Sequence, residues 1–113
     1  MRLSLKMVGE VAVLRPAGTL IGGPETDEVR ERLRLLVNDG VKLFVLDLSR
    51  VRWMNSHGMG MLMACYSTVN HSGGNIVLAN LSEKVEDLMN ITKVNRLFEL
   101  FPSVKTALHV ISG

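Results

Sequence analysis

Leu43-Phe44-Val45-Leu46-Asp47-Leu48 opens with four apolar residues and no polar alternate. A strand apolar on both sides belongs inside a sheet covered on both faces. Asp47 then falls at its carboxyl end, where the chain leaves the sheet. Ile76-Val77-Leu78-Ala79 repeats the pattern, framed by Gly73-Gly74-Asn75 and Asn80. Between the two runs lies a segment from Gly58 to about His71, long enough for a helix that crosses over between parallel strands.

Outward from this centre the chain alternates strand and helix. Leu3, Leu5 and Met7 alternate with Ser4 and Lys6, the period of a strand with one buried face. Val8-Gly9-Glu10 reads as a turn and Val11 to Leu14 as the returning strand of a hairpin, ended by Pro16 and Gly18. From Pro24 to Asn38, Val29, Leu33, Leu36 and Val37 form one stripe of a helix, with Pro24 in its first turn and Gly40 at its exit. Ser82 caps a third helix to Ile91, with Val85, Leu88 and Met89 inward. Phe98 to Phe101 is a short last strand. Ser103 starts a final helix with Val104, Ala107, Leu108 and Ile111 on one stripe. The expectation is a single α/β domain over residues 1–113: an N-terminal hairpin strand, a mostly parallel central sheet with right-handed crossovers, and about four helices.

Composition agrees with one core. The chain has 113 residues, 47% of them hydrophobic and 21% charged, which excludes disorder driven by charge excess. Thirteen Lys and Arg against eleven Asp and Glu give a net charge of +2, and no two basic residues are adjacent. Nothing here singles out nucleic acid as a partner. The single cysteine, Cys65, excludes an intramolecular disulfide and fits a reducing cytosol. The alternating start lacks the apolar core of a signal peptide, and no apolar stretch approaches the roughly 20 residues of a membrane helix. The expectation is a soluble, cytoplasmic protein without membrane insertion.

The segment Asp47-Leu48-Ser49-Arg50-Val51-Arg52-Trp53-Met54-Asn55-Ser56-His57-Gly58-Met59-Gly60 carries the chemistry. A buried strand ends, a short loop follows, and Asn55-Ser56 stands where the crossover helix begins. A serine there serves as an ordinary N-cap, its oxygen accepting a free backbone N–H. The same geometry suits a phosphate, which would face unpaired N–H groups and the positive end of the helix dipole. Local spacing does not choose between cap and switch. Four of the seven methionines lie between Met54 and Met63. They fit either a gap-filling core role or an adaptable contact surface, and exposure of Trp53-Met54 beside Ser56 would favour the surface.

Enzyme signatures are missing. Asp47 has no second acid converging on it. His57, His71 and His109 have no ligand spacing with Cys65, so no metal site is expected. Ser56-His57 is not a catalytic pair, because sequence neighbours rarely point at each other. Gly18-Thr19-Leu20-Ile21-Gly22-Gly23 lacks the lysine and serine of a phosphate loop, and Gly58-Met59-Gly60 is a fragment of a dinucleotide fingerprint. No cofactor is expected. A nucleotide in the crevice at the strand ends is the remaining ligand reading.

These residues resemble the anti-sigma factor antagonist family, the STAS domain. In that family an Asp-Leu-Ser strand end precedes an Asp-Ser-Ser/Thr-Gly-Leu-Gly motif, here Asp47-Leu48-Ser49 and Asn55-Ser56-His57-Gly58-Met59-Gly60. The resemblance continues through Gly73-Gly74, Asn95-Arg96-Leu97-Phe98 and Ala107-Leu108. It implies a non-catalytic binding module that regulates sigma-factor-dependent transcription. The dephosphorylated form would bind an anti-sigma factor that is a serine kinase. Phosphorylation at Ser56 would end binding, and a serine phosphatase would restore it. The implied partner surface is Trp53, Met54, Asn55, Ser56, His57, Gly58, Met59 and Gly60, with the exposed side of the following helix and the stretch from Thr19 to Pro24. Two positions depart from the motif: Asn55 replaces the acid and His57 replaces the second hydroxyl. The alternative within the same fold is a constitutive scaffold or transporter-associated partner in which Ser56 is only a helix cap. The sequence is compatible with a homodimer.

Overall fold

The structure is a computed structural model that describes residues 2–112. Strands β1 (Arg2–Val8) and β2 (Val11–Leu20) form the hairpin, followed by α1 (Pro24–Asn38) and β3 (Leu43–Asp47). Then come β4 (Arg50–Met54), α2 (Ser56–His71), β5 (Asn75–Ala79), α3 (Glu83–Thr92), a 3-10 turn at Val94–Arg96, β6 (Leu100–Phe101) and α4 (Val104–Ile111). The main sheet order is β1-β2-β3-β5-β6, antiparallel between β1 and β2 and parallel beyond. The expected architecture, hairpin strand, mostly parallel sheet and four α-helices, is the one observed.

The doubly apolar strands divide their side chains as their pleat requires. Phe44 and Leu46 of β3, with Ile76 and Leu78 of β5, point into the larger core that also holds Val29 and Leu33 of α1, Leu62 and Cys65 of α2, and Val85 and Met89 of α3. Val45, Val77 and Ala79 point the other way, against Ala107 of α4. Three helices therefore cover one face of the sheet and α4 alone covers the other.

Two strand readings need correction. β2 does not end at Pro16; it runs to Leu20. It pairs with β3 from Val11 to Leu14, then with β4 from Ala17 to Leu20. Arg15 and Pro16 fall in the interval where β2 changes its parallel partner, while both stay paired with β1, at Ser4 and Leu3. Consequently the segment after Asp47 is not merely a loop, because Arg50–Met54 is a sixth strand lying beyond the end of β3. β1 also departs from expectation. Its apolar face is only partly covered: Leu3 reaches the core, whereas Leu5 and Met7 are exposed on this edge strand.

Candidate functional site

The strands β2, β3, β4 and β5 all deliver their carboxyl ends to one side of the molecule, and the candidate residues gather there. Asp47 closes β3, buried, with one carboxylate oxygen accepting from the Ser49 backbone N–H and from Asn80 Nδ2, both at 3.0 Å. Asn80 can turn back to make that bond because it adopts the left-handed conformation, φ 59°. The arrangement fastens the exits of β3 and β5 together. It consumes Asp47 as structure and offers no acid for catalysis.

Next to it, β4 carries the chain to the start of α2. The cap is Asn55, not Ser56: the Asn55 side-chain oxygen accepts from the backbone N–H of His57 at 2.9 Å and of Gly58 at 3.2 Å. Ser56 is the first helical residue, exposed, and its hydroxyl enters no hydrogen bond among the described residues. This overturns the reading of Ser56 as a cap, and Asn55 already occupies two of the N–H groups expected to be free. The helix dipole adds to what remains. The first turn of α2 contains no acidic residue, whereas α1 has Glu25 and Asp27 there and α3 has Glu83 and Glu86.

The eight residues expected in a partner surface divide by burial. Trp53, Ser56, His57 and Gly60 are exposed and Asn55 is half-buried, but Met54, Gly58 and Met59 are buried. Met54 and Met59 belong to the core under the sheet, so a docking partner does not reach their side chains. Gly58 has a packing reason to be glycine. A Cβ there would collide with the Leu20 carbonyl oxygen and stand 2.9 Å from Met54 Cβ. Only Met63 of the four clustered methionines is exposed, at 47%. It lies two helical turns from Ser56 on the same face of α2, with Gly60 between them and open space where a side chain would stand.

Sequence reasoning undervalued Ile21. It follows β2 directly, is 50% exposed, and its carbonyl accepts from Asn55 Nδ2 at 3.0 Å. Trp53 is 39% exposed, with Lys84 Nζ of α3 5.8 Å from its ring centroid, within cation–π range. Ile21, Trp53 and Met63 thus bring an apolar residue from three elements to the surroundings of Ser56. An isolated exposed Ile in a glycine-rich loop has no periodicity to announce it.

No cluster of His, Cys, Asp or Glu suited to a metal ion occurs among the described residues, and no helix of theirs is long and apolar enough to cross a membrane. Cys65 lies on the buried side of α2, its thiol 3.6 Å from Met61 Sδ. Burial pushes its pKa up to about 12, with Arg30 opposing slightly, so it is no nucleophile at neutral pH.

Comparison with known proteins gives this geometry a family. The model of the STAS domain matches residues 2–107. The chain belongs to the STAS domain family. The anti-sigma-B factor antagonist of Bacillus subtilis is 32% identical over 72 residues, an alignment spanning 64% of this chain and 65% of that protein. Among solved structures, an anti-sigma factor antagonist from Thermotoga maritima superposes with a TM-score of 0.90 at 22% identity, covering 98% of this chain and 95% of that one. The anti-sigma factor antagonist SpoIIAA superposes in its unphosphorylated form with a TM-score of 0.76 at 21% identity, covering 99% of each chain. Its phosphorylated form from Bacillus gives 0.75 at 18%, covering 96% of this chain and 97% of that one. These structures establish the shared STAS fold. The curated relatives carry the name of a regulatory binding protein and not of an enzyme.

Proposed function

We propose that this protein is an anti-sigma factor antagonist switched by phosphorylation of Ser56. In its unmodified state it binds an anti-sigma factor with serine kinase activity, and so releases a sigma factor for transcription. The kinase transfers phosphate to Ser56 and ends the binding; a serine phosphatase restores it. The observation that carries this reading is the state of the Ser56 hydroxyl: exposed, unbonded, at the first position of a helix whose cap is supplied by the residue before it.

The physical basis of the switch is charge. Ser56 sits at the positive end of α2 among Ile21, Trp53 and Met63, a surface able to exclude water on docking. A phosphate adds about −1.5 to −2 charges at its centre. Desolvating that dianion costs several kcal/mol, on the order of 2–5 for an unmatched buried charge at an interface, unless the partner supplies a cation. Binding therefore fails on modification without any change of fold.

Incubation with the cognate kinase and ATP should add one phosphate, read by mass spectrometry, and Ser56→Ala should prevent it. Ser56→Asp should lose kinase binding in calorimetry. Normal binding by Ser56→Asp, or undiminished labelling of Ser56→Ala, overturns the switch. Ser56 is not a helix cap, because Asn55 makes the cap; a constitutive scaffold would bind its partner equally well as Ser56→Asp.

A further inference from the structure

Asn55 does something its capping role does not require. Its side-chain oxygen is turned to the helix, towards the N–H groups of His57 and Gly58, while its amide nitrogen is turned to the loop and donates to the Ile21 carbonyl at 3.0 Å. An aspartate could perform the first task. It could not perform the second, because a carboxylate has no proton to give and would repel the carbonyl oxygen. Serine likewise caps a helix but is one atom shorter and has no amide. The donor arm is thus specific to the residue present.

The loop it holds is otherwise lightly fastened. Gly22 and Gly23 have φ values of 105° and 78°, and Gly23 stands at the N-cap of α1 without any side chain to bond there. The second fastening is Thr26, buried in the first turn of α1, whose Oγ1 accepts from the Gly22 N–H at 2.8 Å. The loop also lies against the helix it is tied to: a Cβ on Gly22 would come within 3.3 Å of His57 Cβ and Cγ. Asn55 N–H in turn donates to the Leu20 carbonyl at 3.2 Å. Two hooks therefore hold the stretch that presents Ile21, and one of them is the residue preceding Ser56.

We propose that Asn55 is the positioning residue of the interaction surface, a latch that holds Ile21 in fixed relation to Ser56. Through it the loop after β2 and the first turn of α2 form one preorganised patch for a protein partner. The latch itself is independent of what docks. Its role in binding rests on the anti-sigma factor reading above.

The test uses the full chain with Asn55→Asp and Asn55→Ser, both of which keep a capping oxygen and remove the amide that reaches the Ile21 carbonyl. Amide hydrogen exchange should accelerate roughly tenfold at Gly22, as expected when one of two fastening hydrogen bonds is lost, while His57 and Gly58 stay protected. Ile21 methyl order parameters should fall in both variants. Unchanged exchange at Gly22 in both variants overturns the latch. Where wild type binds the anti-sigma factor, unphosphorylated Asn55→Ser should bind roughly tenfold more weakly, and equal affinity overturns its positioning role. If wild type itself binds no anti-sigma factor, the functional reading fails while the exchange measurement still decides the latch.

Discussion

The starts of α2 and α3 are built to one plan and used differently. Each helix follows a parallel strand, β4 or β5, at the side of the sheet where the carboxyl ends emerge, and each has a side-chain cap. At α3 the serine is the cap: Ser82 Oγ accepts from the Val85 N–H at 3.2 Å, and Glu83 and Glu86 balance the dipole. At α2 the asparagine is the cap, the serine is displaced one residue into the helix, and no acid follows in the first turn. A serine at a helix start is therefore structural or available according to which neighbour takes the N–H groups. The difference is a single position.

The most severe way to break the α2 start is Gly58→Ala. The added carbon meets backbone at Leu20 and the buried Met54 side chain, neither of which has room to give. Overpacking of this kind should cost about 3 kcal/mol or more in urea denaturation. Gly60→Ala, two residues on in open space, should stabilise by up to about 1 kcal/mol through helix propensity alone. If the two glycines respond alike, the close approach of α2 to the end of β2 is wrong.

A second contrast lies within α2, between the open hydroxyl of Ser56 and the sealed thiol of Cys65. Burial pushes the folded thiol up to about 12, while an unfolded cysteine titrates at about 8.5. Between those values the unfolded chain has lost a proton that the native state keeps. Stability therefore falls as pH rises above about 8.5, with a slope of at most about 1.4 kcal/mol per pH unit from this group. Denaturation from pH 8 to 10 should show this loss, and Cys65→Ala should flatten it. Native protein at pH 8 should also resist alkylation by iodoacetamide.

Much of this architecture is legible in the chain. Pro24 and Gly40 frame α1, Ser82 and Ser103 cap their helices, and the uninterrupted apolar runs at Leu43 and Ile76 mark the two central strands. The extension of β2 and the existence of β4 are not legible, for one shared reason. Pro16 looks like a strand breaker unless one knows that β2 changes partner there, and that change depends on β4, whose Arg50 and Arg52 face solvent. At the site, Asn55 and Ser56 are both competent caps in adjacent positions. Only the three-dimensional path of β4 into α2 decides between them. Burial of Met54 and Met59 follows from the same path.

The smallest expected effect is the most discriminating. Removing a side chain that caps a helix costs typically about 1 kcal/mol, so Ser82→Ala and Asn55→Ala should each lower stability by that amount. Ser56→Ala should change it by less than about 0.5 kcal/mol, since its oxygen holds no backbone group and alanine suits a first helical turn. Three alanine variants measured in one urea series thus separate the two serines. A loss at Ser56 equal to that at Ser82 would mean that Ser56 shares the capping. The hydroxyl would then have to break a structural bond before it could meet a kinase, and the freedom that distinguishes α2 from α3 would be gone.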